Sequence, residues 1–209
     1  KGVRQVGKTW ILKEFGNRYY ENVAYFNFDE NPEYKQFFQT TKDISRILQN
    51  LMLISGYKIV AKKTLIIFDE IQLFPKARQA IKHLVHDVRY HYLETGSLIS
   101  IKKNVKDILI PSEEMKIQVH PMDYEEFCGA VGYNYSLLQR IYETGRAIGQ
   151  ATNRKLMRDL RVYMAVGGMP QAVEAYIRGD NFTEIDRIKR RIITLYEDDF
   201  RKLDPSGRI

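Results

Sequence analysis

Gly2-Val3-Arg4-Gln5-Val6-Gly7-Lys8-Thr9 carries the spacing G-x-x-x-x-G-K-[ST], that of a phosphate-binding loop. Each residue type has its own physical reason. Gly2 and Gly7 let the backbone turn where a side chain would clash, so that successive N–H groups, those of Arg4, Gln5 and Val6 among them, can converge on phosphate oxygens. Lys8 supplies a mobile positive charge for the terminal phosphates, and Thr9 a hydroxyl for Mg²⁺. The run Trp10-Ile11-Leu12 starts a helix, whose positive N-terminal end faces the same anion.

The second decisive stretch is Thr64-Leu65-Ile66-Ile67-Phe68-Asp69-Glu70. A continuous apolar run without alternation suits a strand buried on both faces, as in a parallel sheet covered by helices. Ligands of such sheets lie beyond the carboxyl ends of the strands, where Asp69 and Glu70 project. Asp69 can hold Mg²⁺, directly or through water. Glu70 can orient and deprotonate an attacking water.

The rest of the chain fills in around these two. The first helix is expected to stop near Gly16, a natural left-handed terminus. Asn22–Phe28 reads as a strand, broken by Asp29-Glu30-Asn31-Pro32. Asp43 caps a helix carrying Ile44, Ile47, Leu48 and Leu51 at helical spacing, and Pro75 opens another. Tyr90–Thr95 and Glu114–Val119 are expected as strands, and Asp123 with Glu126 as a capping box. Ser97, just past Gly96, is read either as a helix N-cap or as a polar group beside the terminal phosphate. Beyond this point β signals fade, and four helices are expected near Tyr135–Glu143, Asn153–Val166, Pro170–Arg178 and Thr183–Leu203. Gly167-Gly168-Met169-Pro170 separates two of them.

Composition narrows the class. The 209 residues are 44% hydrophobic and 28% charged, as for an ordinary globular chain. No run of about 18 apolar residues occurs, so no membrane span is expected and a cytoplasmic location follows by default. Cys128 is the single cysteine and reads as a small buried hydrophobe. His83 and His86 lie one turn apart but lack a third ligand, so they read as helix-surface residues. The net charge is +7, with its densest run at Arg187-Ile188-Lys189-Arg190-Arg191. Ile185, Ile188, Ile192 and Leu195 share one face there, so the bases read as the solvated face of an amphipathic helix. A DNA-binding reading of Lys189 to Arg191 is weaker.

Arg4 to Thr9, Phe68-Asp69-Glu70-Ile71-Gln72, Thr95-Gly96-Ser97 and Pro121-Met122-Asp123-Tyr124-Glu125-Glu126-Phe127 occur in that order. The combination resembles the prokaryotic AAA-type ATPases of the AAA+ superfamily, in which such a module precedes a C-terminal nuclease-like domain. The resemblance implies an α/β P-loop fold, a three-layer parallel sheet with flanking helices, followed by a small all-α lid. It implies an ATPase core over 1–130, a lid over 131–204 and the start of a linker at 205–209. Gly2, Arg4, Gln5, Val6, Gly7, Lys8, Thr9 and Trp10 would line the ATP site, with Lys8 also catalytic. Asp69 and Glu70 would be the Walker-B pair, with Mg²⁺ on Thr9 and Asp69, and Thr95 or Ser97 would be the sensor. Pro170 and its glycine turn look like the segment that related ATPases place near the base.

In place of the Gly-Arg that many relatives carry after the sensor, this chain has Leu109-Ile110-Pro111-Ser112-Glu113-Glu114, so no arginine finger is assigned. The strand feeding Gly2 is not in the sequence, and Leu203-Asp204-Pro205-Ser206-Gly207 reads as a linker. A piece cut at both ends is expected, with a gap between the strands at 90–95 and 114–119. The function implied is Mg²⁺-dependent ATP hydrolysis. Its rival is a nucleotide-dependent switch docking DNA or a protein through a further domain, with little turnover. ATP is preferred over GTP because no Asn-Lys-x-Asp motif occurs.

Overall fold

Three runs rich in aromatic and β-branched residues form one parallel sheet: Asn22–Asn27 (β1), Thr64–Asp69 (β2) and His91–Glu94 (β3), in the order β1-β2-β3. The computed structural model describes residues 1–41, 43–96 and 115–203. They fall into two units, Lys1–Val119 and His120–Ile209. In the sheet Tyr25 lies opposite Ile67, Asn27 opposite Asp69, and Ile66 opposite Tyr92. Every residue of β2 is buried, which explains its unbroken apolar run.

Helices cover both faces of this sheet. Ile66 and Phe68 join Ala24, Phe26 and Phe28 in a core with Phe37 and Phe38 of α2 (Tyr34–Thr40), Ile47, Leu48 and Leu51 of α3 (Ile44–Ser55), and Ala77 and Leu84 of α4 (Pro75–His86). Fully burying one such side chain contributes about 1.5–3 kcal/mol. Leu65, of the opposite parity, meets α1 (Lys8–Tyr19) at Gly16.

Gly16 corrects an expectation. It does not end α1, which continues to Tyr19. A Cβ at Gly16 would stand 2.4 Å from Val23 Cγ2 and 3.0 Å from Leu65 Cδ2. The glycine is there so that helix and sheet can approach closely. The expected cap and helix start hold: Asp43 accepts from the N–H of Ser45 at 2.9 Å and of Arg46 at 3.4 Å, and Pro75 opens α4. Gly56 ends α3 with φ +72°.

The expected strand at 114–119 is a second correction. Glu114 lies outside the described residues, 115–118 form no ladder, and Val119 makes an isolated parallel bridge to Gly2. Lys1 donates to Ile117 O at 2.5 Å, and Val119 N–H donates to Lys1 O at 2.6 Å. Alternating residues make a strand only along a partner, and here the partner is Lys1–Gly2. β3 pairs with β2, and a cavity of about 690 Å³ lined by Leu93, Tyr92, Ile117 and Val119 separates it from this segment.

The described elements of the second unit are helices: α5 (Tyr124–Val131), α6 (Ser136–Thr144), α7 (Gln150–Val166), α8 (Pro170–Arg178) and α9 (Phe182–Leu203). Their core gathers Phe127, Val166, Ala172, Val173, Ala175 and Ile185. Asp123 and Glu126 close the capping box on α5, at 2.8 and 3.0 Å. Cys128 is a buried free thiol, and burial pushes its pKa up. On α9 Arg187 pairs with Glu184 and Arg190 with Asp186, both at 2.6 Å, and Lys189 donates to Ala165 O. Acidic neighbours thus balance much of the basic run, as on a solvated helix face.

Candidate functional site

The loop before α1 takes its shape from residues placed in left-handed backbone conformations. Gln5 has φ 64° and Gly7, the N-cap of α1, has φ 86°. A glycine adopts this region without the penalty that a Cβ brings. Gly2 has no room for a side chain, since a Cβ would meet Val119 O at 2.5 Å. Val6 is buried, which pins the middle of the loop to the fold. Lys8 Nζ bends back to donate to Val3 O at 2.7 Å. Burial lowers the Lys8 pKa, while the carboxylates of Glu70 and Asp69 hold the charge in place. Trp10, the next residue but one, is 67% exposed.

Thr9 and Asp69, far apart in sequence, meet at the C-terminal end of β2. Thr9 Oγ1 donates to Asp69 Oδ2 at 2.8 Å. The Asp69 side chain accepts two further hydrogen bonds, from Tyr25 Oη to Oδ2 at 2.6 Å and from Glu70 N–H to Oδ1 at 2.9 Å. Asp69 is 4% exposed, and its donors among the described residues are neutral, with the Lys8 ammonium the nearby positive charge. A buried carboxylate depends on such hydrogen bonds and on nearby positive charge. With the Thr9 hydroxyl beside it, this is a hard-oxygen donor set of the kind Mg²⁺ takes.

Glu70 follows at once, in a left-handed conformation with φ 53°. A non-glycine residue held there is strained by roughly 1–2 kcal/mol, and the chain turns sharply into a 3₁₀ turn at Ile71–Leu73. Thr95, just after β3, donates its N–H to Phe68 O at 2.9 Å. It is 6% exposed, and its hydroxyl is buried without a hydrogen-bond partner among the described residues. A buried orphan hydroxyl calls for an explanation, and a ligand beside β2 would supply one. Ser97 and 109–114 lie outside the described residues.

The loop, Asp69, Glu70 and Thr95 therefore belong to one unit. Pro170 belongs to the other, as the first residue of α8. The glycines before it have a packing role there. Gly168 O accepts from Met122 N–H at 2.8 Å, and a Cβ on Gly168 would fall 2.0 Å from Met122 O. His83 and His86 lie in α4, and among the described residues no group of three or more potential ligands gathers around a metal site of the His, Cys, Asp and Glu kind.

Tyr25 escaped the reading of the sequence. Its ring lies under Lys13, whose Nζ is 3.6 Å from the ring centroid. Burial, then the hydrogen bond to Asp69, raise its pKa, so it stays a donor. The one signal available was a tyrosine in the strand next to the carboxylate-bearing strand.

Residues 1–128 match the family model described as AAA domain. Residues 157–209 match a second model, described as a domain of unknown function (DUF8612). No curated protein and no solved structure matches the chain. No helix among the described residues is long and apolar enough to cross a membrane.

Proposed function

The chain belongs to the AAA domain family, and on that premise we propose that its first unit binds ATP with Mg²⁺ and hydrolyses it. The observation that carries this reading is the hydrogen bond from Thr9 to buried Asp69. It joins the end of the phosphate-binding loop to the acidic end of β2, the pair of oxygens that a nucleotide-bound cation requires.

In this reading the N–H groups from Gly2 to Gly7 and the Lys8 ammonium hold the phosphates. Lys8 exchanges its bond to Val3 O for phosphate oxygens. Thr9 and Asp69 hold Mg²⁺, which when bound neutralises charge on the β- and γ-phosphates. Glu70 orients a water and takes its proton as the water attacks the γ-phosphate and the bond to ADP breaks. The buried Thr95 hydroxyl reports on the γ-phosphate, with Ser97 as the other residue for that role. Trp10 stands at the mouth of the site, and the second, helical unit, which includes Pro170, is read as a lid.

ATP titration followed by Trp10 fluorescence tests the binding half, because Trp10 is the single tryptophan and adjoins Thr9. Mg²⁺ should tighten the ATP affinity about tenfold or more over EDTA. Equal affinity in Mg²⁺ and EDTA would sink the role given to Thr9 and Asp69.

A further inference from the structure

Asp69 accepts from Tyr25 of the neighbouring strand as well as from Thr9 and Glu70. A carboxylate offers about four lone-pair sites. On Oδ2, Thr9 Oγ1 at 2.8 Å and Tyr25 Oη at 2.6 Å take both. On Oδ1, the Glu70 N–H takes one. Among the described residues this leaves one lone pair on Oδ1 for a cation or its water.

Tyr25 is itself held. Its place opposite Ile67 puts it on the sheet face that Leu65 and Val23 present to Gly16 of α1. Lys13, one turn beyond Thr9 on α1, caps the ring at 3.6 Å. The phenol thus ties β1 to the end of β2, and the same helix supplies both Thr9 and the cation over the ring. A carboxylate fixed in this way loses no rotamer freedom when a metal arrives.

We propose that Tyr25 is a positioning residue for the metal: its hydroxyl locks the Asp69 carboxylate toward Thr9 and leaves one defined lone pair for the cation. This rests on the ATPase reading above. Without the phenol, Asp69 can turn, and the Thr9 hydroxyl loses its fixed acceptor. Metal binding then has to order both groups, while the phosphate contacts of the loop are untouched.

The test compares wild type with Tyr25→Phe, using Mn²⁺ as a paramagnetic substitute for Mg²⁺. Bound Mn²⁺ is read by electron paramagnetic resonance in the presence of ATP, and ATP affinity is read separately in EDTA. Tyr25→Phe should weaken Mn²⁺ binding about tenfold, the loss expected for one hydrogen bond to a charged group, with ATP affinity in EDTA unchanged. Lys13→Met, which keeps the hydroxyl but frees the ring, should shift the same midpoint less and in the same direction. An unchanged Mn²⁺ midpoint overturns the proposal. So does an equal loss in EDTA, which would make Tyr25 a packing residue. If wild type binds neither ATP nor Mn²⁺, the ATPase reading itself has failed, a result that no variant is needed to recognise.

Discussion

Glu70→Gln should bind ATP as wild type does and hydrolyse it roughly 10²–10⁴-fold more slowly, the range that a positioned general base contributes. The amide keeps the size and the hydrogen-bonding oxygen of the carboxylate but cannot take a proton from water. The left-handed backbone at Glu70, φ 53°, is set by the turn that follows β2, so the substitution leaves the geometry in place. Phosphate release in single-turnover reactions measures the chemical step apart from product release. A rate equal to wild type would remove Glu70 from the mechanism.

Lys8→Ala should weaken ATP binding beyond roughly a hundredfold, since a lysine on the terminal phosphates makes charge-assisted bonds to more than one oxygen. Among the described residues its Nζ hydrogen-bonds only to Val3 O, at 2.7 Å, and the side chain is half-buried. The unfolding temperature without nucleotide should therefore change little. Isothermal calorimetry with ATP reads the first effect and thermal unfolding the second. Retained affinity with an intact fold would contradict the placement of the phosphates.

The roles proposed for these two side chains come from the sequence alone, because their neighbours in the chain define the motifs. The same holds for the Asp43 cap and the Asp123–Glu126 box, where both partners lie within one turn. The unbroken apolar run of β2 announced burial on both faces, and all six residues are buried. Gly16 was misread because its reason is non-local: Val23 and Leu65 press against it across the sheet. The helix at Tyr34–Thr40 was hidden by the Asp29–Pro32 turn before it, although Tyr34, Phe37 and Phe38 are buried. Segment 115–119 has the alternation of a strand but pairs only through Val119 and its contacts with Lys1–Gly2. Tyr25, the proposed positioning residue, was missed. Its role depends on the register that sets Tyr25 opposite Ile67, two residues before Asn27 faces Asp69, and no spacing in the sequence encodes a pairing between strands.

Thr9, Asp69, Glu70 and Lys8 are proposed to form one Mg²⁺-dependent ATPase site. Phosphate release from ATP, measured with Mg²⁺ and with EDTA, in the presence and absence of DNA, tests it most directly. Steady release in Mg²⁺ that stops in EDTA is the predicted result. ATP bound without any release, whatever is added, would leave a nucleotide-dependent docking module in place of an enzyme and contradict the account.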